Sequence, residues 1–171
     1  MDKYVALAKN TIDLYIKKGD KYTPNDSELT DEMKSARAGA FVSIHKYGEL
    51  RGCIGTIGPM CDTLAEEIVQ NAISASTRDP RFPAITEEEL RDLEINVDVL
   101  SESEPIESEA KLDVIRYGVI VEKGYRRGLL LPNLEGVNTI EEQVSIAKMK
   151  AGIDPADKNV RLYRFEVVRH E

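Results

Sequence analysis

Cys53 is the residue whose type and neighbours are best suited to chemistry. It lies in the run Leu-Arg-Gly-Cys-Ile-Gly, and alternate residues of a strand share a face, so Arg51 would lie about 7 Å from Cys53. A nearby guanidinium favours the thiolate, which is the nucleophilic form of cysteine. Gly52 and Gly55 would let a ligand or a second backbone approach closely. The run is therefore a candidate site, with Cys53 as nucleophile or redox thiol and its neighbours as ligand-binding positions.

A catalytic thiol usually needs a base, and the chain has only two histidines. One of them, His45, falls in the strand predicted to pair with the Cys53 strand, so it is the candidate base. The alternative is a histidine that is solvated or hydrogen-bonded for structure alone. The two cysteines are eight residues apart with no second close pair, a spacing that fits no zinc site, so no metal is expected. No cofactor is expected either, because no phosphate loop, nucleotide fingerprint or serine nucleophile elbow is present.

The segment Arg-Asp-Pro-Arg-Phe-Pro places Asp79 between two arginines, one of which is Arg81. Two prolines stiffen the segment. Such an arrangement can hold an anion or a substrate carboxylate in two hydrogen bonds. It can equally be a self-contained salt bridge that locks the connection between a helix and a strand. Both interpretations are open, and Asp79 and Arg81 join the candidate ligand-binding residues.

The elements that position these residues follow from hydrophobic spacing and from turn and cap residues. A hairpin turn is expected at Tyr47-Gly48, a helix N-cap at Thr63 and a helix stop at Asp79-Pro80. The predicted elements are an amphipathic helix over 3–18, strands over 40–46 and 49–57, a helix from 63, a short helix near 86–91 and an alternating strand over 93–99.

The second half of the chain repeats this order. Gly118-Val-Ile-Val resembles Gly39-Ala-Phe-Val, and Arg-Gly occurs again at 127–128. Gly52 stands eleven residues before the N-cap threonine of its helix, and Gly128 stands eleven before Thr139. The sequence thus predicts one domain over 1–171 with pseudo-repeats at about 37–101 and 114–169. The fold class is α+β: duplicated hairpin–helix–strand units form antiparallel sheets with flanking helices and a cleft between the halves.

The matching position for Cys53 in the second half is Leu129, which falls in an apolar strand. A free cysteine often behaves as a small buried hydrophobe, so Cys53 can be a core residue instead of a functional one. This interpretation stays open beside the nucleophile.

Net charge and composition restrict the function classes. The formal charge of −8 disfavours nucleic-acid binding, which needs a basic face to displace counterions from phosphates. The longest apolar runs fall far short of a membrane span, so no membrane association is expected. The N-terminus lacks the basic start and apolar stretch of a secretory signal, and only two cysteines are present. We therefore expect a cytoplasmic protein.

The blocks Gly-Glu-Leu-Arg-Gly-Cys-Ile-Gly-Thr-Ile at 48–57, Arg-Asp-Pro-Arg-Phe-Pro at 78–83 and Arg-Gly-Leu-Leu-Leu-Pro at 127–132 resemble the AMME chromosomal region protein family. More narrowly, the chain resembles its prokaryotic branch, the AmmeMemoRadiSam system protein A. That resemblance implies an α+β fold with internal duplication. It also implies two partners, a Memo-like, dioxygenase-related protein and a radical SAM protein, with the Memo-like part fused to the domain in some members. It brings no established activity.

Two functional hypotheses remain, and the sequence leaves open whether the chain is an enzyme. The favoured one is an accessory module that binds a small molecule or a partner protein at the candidate residues around Cys53. The other is an enzyme that uses Cys53 as nucleophile or redox thiol, with His45 or Asp79 as base. Nucleic-acid binding is a distant third.

Overall fold

The computed structural model describes all 171 residues of the chain. The helices are α1 (Lys3–Lys18), α2 (Asp31–Ser35), α3 (Leu64–Thr77) and α4 (Ile140–Ala151). The strands are β1 (Ala40–Lys46), β2 (Glu49–Gly55), β3 (Leu93–Leu100), β4 (Glu104–Ile106), β5 (Gly118–Lys123), β6 (Arg126–Leu130), β7 (Arg161–Phe165) and β8 (Val167–His170). None of the helices combines the length and the apolar character that crossing a membrane requires.

The chain forms two compact units, and the first consists of Met1–Leu100 with Val168–Glu171. Its sheet has the strand order β2-β1-β3-β8, in which β1 pairs antiparallel with both β2 and β3. Helix α3 packs on β1 and β2, while α1 packs on β3 and on α3. The core lies between these helices and one face of the sheet, where Val42, Ile44 and Val97 are fully buried.

Local signals in the sequence fix the ends of these elements. The side chain of Asp2 accepts hydrogen bonds from two backbone N–H groups at the start of α1, and Gly19 ends that helix in the left-handed conformation. The Thr63 hydroxyl caps α3, as predicted. The helix then ends at Thr77, just before Asp79-Pro80, where the proline ring prevents a further helical turn.

The second unit consists of Ser101–Val167 and has a sheet of order β4-β7-β5-β6. Helix α4 packs on β5 and β6, and its N-terminus is capped by the Thr139 hydroxyl. The unit has its own core, in which Val119, Val121 and Ala147 are fully buried. This core repeats the arrangement of the first unit, with one helix on the hairpin and one covered sheet face.

The two sheets have the same order when each is followed from its hairpin edge. Strands β2, β1, β3 and β8 correspond to β6, β5, β7 and β4. The fourth strand of each sheet follows the third strand of the other sheet along the chain, as β4 follows β3 and β8 follows β7. The α+β class is confirmed. The repeat boundaries 37–101 and 114–169 stay a prediction. They differ from the unit boundaries because the first predicted repeat ends close to β4, a strand of the second sheet, and the second ends in β8, a strand of the first sheet.

Strand pairing gives a different alignment of the two hairpins from the one predicted. Gly52 pairs with Ile44, and Gly128 pairs with Val121. Val121 therefore corresponds to Ile44, whereas matching Gly118 with Gly39 had aligned it with Val42. The expectation was wrong by two residues, because the predicted alignment needed the hairpins to differ by three residues. Their turns are equally long, and only the single extra residue of a β-bulge in the first hairpin distinguishes them.

Candidate functional site

The residues around Cys53 are positioned by Gly52, which faces helix α3. A Cβ atom on Gly52 would lie 2.3 Å from the carbonyl oxygen of Ala75, so only glycine lets the helix approach this strand. Because side chains alternate along a strand, Cys53 points to the opposite side of the sheet. It pairs with Ser43 on β1, and Ser43 pairs with Asn96 on β3. These three residues form a row across the sheet, on the side away from the helices.

The Cys53 thiol is held as a neutral group. Its Sγ lies 3.2 Å from the Ser43 Oγ. Burial raises the pKa of Cys53 above its ordinary value, and the Ser43 hydrogen bond and the Arg81 charge offset only part of this effect. The net shift is therefore opposite to the predicted activation by Arg51. The guanidinium that favours the thiolate is that of Arg81, and loss of hydration outweighs its charge.

Asp79 and Arg81 cap the free edge of β2 at Cys53. The Cys53 N–H donates to Asp79 Oδ2 over 3.0 Å, and Arg81 Nη2 donates to the Cys53 carbonyl oxygen over 3.2 Å. The pair thus replaces a neighbouring strand at the edge of the sheet. Within the pair, Arg81 Nε lies 3.0 Å from Asp79 Oδ1 and Nη2 lies 2.8 Å from Oδ2. These hydrogen bonds hold the pKa of the buried Asp79 carboxyl well below its usual range.

The salt bridge between Asp79 and Arg81, one of the two interpretations of this segment, is present. It leaves the other interpretation open, because 55% of the Arg81 side chain is exposed and its Nη1 donates to no protein atom. A guanidinium that is fixed by one carboxylate and keeps a nitrogen without a protein partner can donate to a further acceptor.

Arg51 does not share the immediate surroundings of Cys53. Ile44 pairs with Gly52 and His45 pairs with Leu50, so Arg51 is the extra residue of a β-bulge. Because the bulge interrupts strict alternation, the expectation that Arg51 flanks the thiol on one face was wrong.

The Arg51 guanidinium instead binds the segment after α3. It donates to the Glu89 carboxylate over 3.0 and 3.2 Å and to the carbonyl oxygens of Pro83 and Ala84 over 2.8 and 3.3 Å. These contacts lower the pKa of Glu89 from 4.5 to about 2, with the Arg51 hydrogen bond as the main cause. In this arrangement Arg51 ties the bulge to the short helical segment Glu87–Asp92.

Two residues at the far side of the sheet were absent from the sequence-based site. Asp98 lies two residues after Asn96 on β3, so both point to the same face. Its fully buried carboxylate accepts from Arg169 Nε and Nη2, each over 2.8 Å. The alternation of polar Asn96 and Asp98 with buried valines was a usable signal. The Arg169 contact spans 71 residues of chain, and no local pattern indicates it.

Asn96 carries a donor that the protein leaves unused. Its Nδ2 atom is buried and has no hydrogen-bond partner. A buried unpaired amide costs free energy, so its presence in this row calls for an explanation. We call Ser43, Cys53, Asn96, Asp98 and Arg169, together with the edge pair Asp79 and Arg81, the polar face of the first unit.

His45 and Gly55 take other places in the same sheet. His45 lies two residues beyond Ser43 and lines a cavity of about 530 Å³ with Glu94, Asn96 and other residues, but it makes no hydrogen bond to Cys53. The Phe41 ring packs directly over Gly55, where a Cβ atom would lie 2.2 Å from the ring. Gly55 therefore makes room for an aromatic side chain of the protein itself. No group of three or more His, Cys, Asp or Glu side chains is arranged to hold a metal ion.

Comparison with known proteins relates the whole chain to one family. The AMMECR1 family model matches residues 5–170. A protein of Thermotoga maritima is 51% identical over 98% of this chain and 97% of its own length. A Clostridium acetobutylicum protein is 48% identical over 99% of this chain, which spans only 36% of that longer relative.

A solved structure agrees with this relationship. The crystal structure of the Pyrococcus horikoshii protein PH0010 superimposes with a TM-score of 0.87 at 34% sequence identity, over 97% of this chain and 88% of that one. The chain belongs to the AMMECR1 family.

Proposed function

We propose that this chain is a binding module, an accessory component whose site is the polar face of the first unit. The observation that carries the proposal is the state of Cys53. The Cys53 thiol is neutral and hydrogen-bonded to Ser43. The backbone N–H of Cys53 donates to Asp79, and its carbonyl oxygen accepts from Arg81. A rigid surface of polar groups without a working acid–base pair is suited to recognition.

The resemblance to the AmmeMemoRadiSam branch supplies candidate partners, a Memo-like, dioxygenase-related protein and a radical SAM protein. Fusion of the domain to a Memo-like part in some members of that branch supports the first partner. The longer Clostridium relative is compatible with such an arrangement, since this chain spans 36% of it. A small molecule bound at the polar face is the second kind of occupant, and a joint site shared with a partner would accommodate both.

Catalysis by Cys53 is less well supported than binding. A nucleophilic thiol needs a lowered pKa or a base within hydrogen-bond reach. Burial raises the Cys53 pKa, and His45 makes no hydrogen bond to the thiol. Asp79, the other candidate base, is committed to Arg81 and to the Cys53 N–H. The net charge of −8 continues to disfavour nucleic acid.

The proposal is tested by nuclear magnetic resonance of the labelled full chain mixed with each purified partner and, separately, with a small-molecule extract. We expect the signals of Cys53 and Asn96 to shift, while those of the second sheet change less. Arg81→Gln should weaken the effect, and Arg161→Gln, which changes a 78% exposed arginine in the second unit, should not. Unchanged polar-face signals in all three mixtures would show that the proposal is wrong.

A further inference from the structure

The outer edge of β6 is open, whereas the corresponding edge of β2 is covered. On β2, the N–H and the carbonyl oxygen of Cys53 point away from β1 and are bound by Asp79 and Arg81. Leu129 on β6 corresponds to Cys53, because each of them follows the glycine that lies against a helix carbonyl. The N–H and the carbonyl oxygen of Leu129 therefore point away from β5 in the same way.

Two residues of β6 present unpaired main-chain groups at this edge. Arg127 lies two positions before Leu129, so its N–H and carbonyl oxygen also point outward. Strand β5 is the only neighbour of β6 in the sheet, and no protein atom makes a hydrogen bond to these outward groups. The segment after α4 reaches β6 by a hydrogen bond only at its first residue, where Arg126 donates to the carbonyl oxygen of Gly152 over 2.8 Å. The donors and acceptors of this edge are thus spaced for the addition of a further strand.

The opposite edge of the same sheet is protected by its own sequence. Strand β4 has only three residues, and one of them is Pro105, which has no N–H. Short edge strands and prolines are devices by which proteins prevent pairing with another chain. Strand β6 has five residues and no proline. It is therefore the edge of this sheet that can accept a strand.

A row of charged side chains selects the strand that fits. Arg127, Glu122 and Arg161 lie side by side on β6, β5 and β7, on the face away from α4. The Glu122 carboxylate lies 3.9 Å from Arg127 and 3.6 Å from Arg161, so two arginines share one acid and the row keeps one positive charge. An acidic residue placed beside Arg127 would continue the alternation of charge, because opposite charges on paired strands attract.

The next row on this face is apolar. It consists of Leu129, Ile120 and Tyr163, and the half-buried Leu129 is its outermost member. An apolar residue on the added strand would extend this row. Strand β6 itself contains no acid, so a second copy of this chain paired through β6 would leave Arg127 without one. The two rows favour a segment of another protein in which an apolar residue is followed two positions later by an acid.

We propose that the outer edge of β6 binds such an extended segment of a partner protein as a fifth strand, antiparallel as in the rest of the sheet. The acid lies beside Arg127 and the apolar residue beside Leu129. Each of these two pairs exchanges two main-chain hydrogen bonds, and the side chains set the specificity. This surface belongs to the second unit and is separate from the polar face, so either proposal can fail without the other.

The test mixes the labelled full chain with a capped seven-residue peptide of threonines around a valine–threonine–glutamate core. We expect saturable shifts of the β6 signals in nuclear magnetic resonance. At saturation the amide hydrogens of Arg127 and Leu129 should exchange at least tenfold more slowly, because each gains an acceptor. The signals of Cys53 and Asn96 should not move. A peptide with lysine in place of the glutamate should bind about tenfold more weakly, because it puts two positive charges side by side.

A charge reversal on the protein makes the test specific. Arg127→Glu should reverse the preference, so that the lysine peptide binds more tightly than the glutamate peptide. Because 47% of the Arg127 side chain is exposed, this variant should fold as wild type does. Arg126→Glu is the matched control: it makes the same change of charge one position away, on the face that carries α4, and should keep the wild-type preference.

Three results would overturn the proposal: no saturable binding, binding without slower exchange of the two amides, or an unchanged preference in Arg127→Glu. A chain that is dimeric without peptide, with the Arg127 and Leu129 amides already protected, would also overturn it. The edge would then belong to a second copy.

Discussion

The two sheets use the same frame to present different chemistry. In each, a glycine of the hairpin edge strand lies against a helix carbonyl, and the next residue begins a row of three paired side chains on the opposite face. In the first sheet this row is Cys53, Ser43 and Asn96. In the second sheet it is Leu129, Ile120 and Tyr163.

The largest chemical difference between the two rows is on the face away from the helices. Ile120 is fully buried, whereas the corresponding Ser43 contributes a hydroxyl to the Cys53 thiol. Burying polar groups stabilises a protein less than burying apolar ones, and an unpaired amide such as that of Asn96 costs free energy. The second row is therefore suited to stability, and the first row is suited to recognition at some cost in stability.

The largest expected effect on stability tests what the two sheets share, the glycine that lies against a helix carbonyl. Gly52→Ala would place a Cβ atom 2.3 Å from the Ala75 carbonyl oxygen, and Gly128→Ala would place one 2.0 Å from the Ala147 oxygen. We expect each change to lower the free energy of unfolding by about 3 kcal/mol, because backbone must move to relieve the overlap.

Urea denaturation measures this effect, and Gly58→Ala is the control. Gly58 has open space around its Cβ position and needs no positive φ, so this change should alter stability by less than about 0.5 kcal/mol. If Gly52→Ala or Gly128→Ala were as mild as the control, the helix would not depend on glycine in that unit, and the shared frame would be refuted.

An intermediate effect on stability distinguishes Arg51 of the first hairpin from Arg127 of the second. Arg51 is 14% exposed and binds Glu89 at 3.0 Å, whereas Arg127 is 47% exposed and lies 3.9 Å from Glu122. We expect Arg51→Met to destabilise the chain by about 2 kcal/mol, because Glu89 and two carbonyl groups lose donors. Arg127→Met should cost less than about 0.5 kcal/mol, as is usual for an exposed ion pair.

The Arg51 effect should depend on pH. Because Arg51 lowers the pKa of Glu89 to about 2, its stabilisation is complete above the ordinary carboxyl pKa of 4.5 and is lost as the pH falls through about 2. Urea unfolding of wild type and Arg51→Met from neutral to acidic pH should show the two curves converging. Curves that stay parallel would mean that the Glu89 contact contributes little.

The sequence was sufficient for the elements that depend on neighbouring residues. Helical spacing, the Thr63 and Thr139 caps and the Tyr47-Gly48 turn all lie within a few positions of what they determine. Asp79 and Arg81 were identified for the same reason, since the two partners of this ion pair are only two residues apart in the sequence.

The remainder of the candidate site depends on pairings between distant parts of the chain. The bulge that turns Arg51 toward Glu89 exists only once β1 has selected its register against β2. Arg169 reaches Asp98 because β8 joins the sheet that contains β3, although 71 residues separate the two side chains. The direction of the Cys53 pKa also needed the folded structure, because burial outweighs the charge of Arg81, whereas the sequence had suggested Arg51 as the activating charge.

The smallest expected effect concerns the thiol itself. In a Cys61→Ser background, so that one thiol remains, thiolate absorbance should show a Cys53 pKa above that of a free cysteine. Ser43→Ala should raise this pKa further, because the hydroxyl then no longer stabilises the thiolate. We expect the thiolate fraction at a fixed pH to be about three times smaller.

Moving the thiol to the apolar row makes the comparison direct. Leu129→Cys, with Cys53 and Cys61 both changed to serine, places a thiol opposite Ile120 instead of Ser43. Its pKa should exceed that of Cys53, because Ile120 has no hydroxyl to offset burial as Ser43 does in the first sheet. Equal values in the two rows would mean that Ser43 does not act on the thiol. A lower value at position 129 would mean that the first row disfavours a thiolate more than the second row does. Recognition through neutral groups would then be the only chemistry available to Cys53.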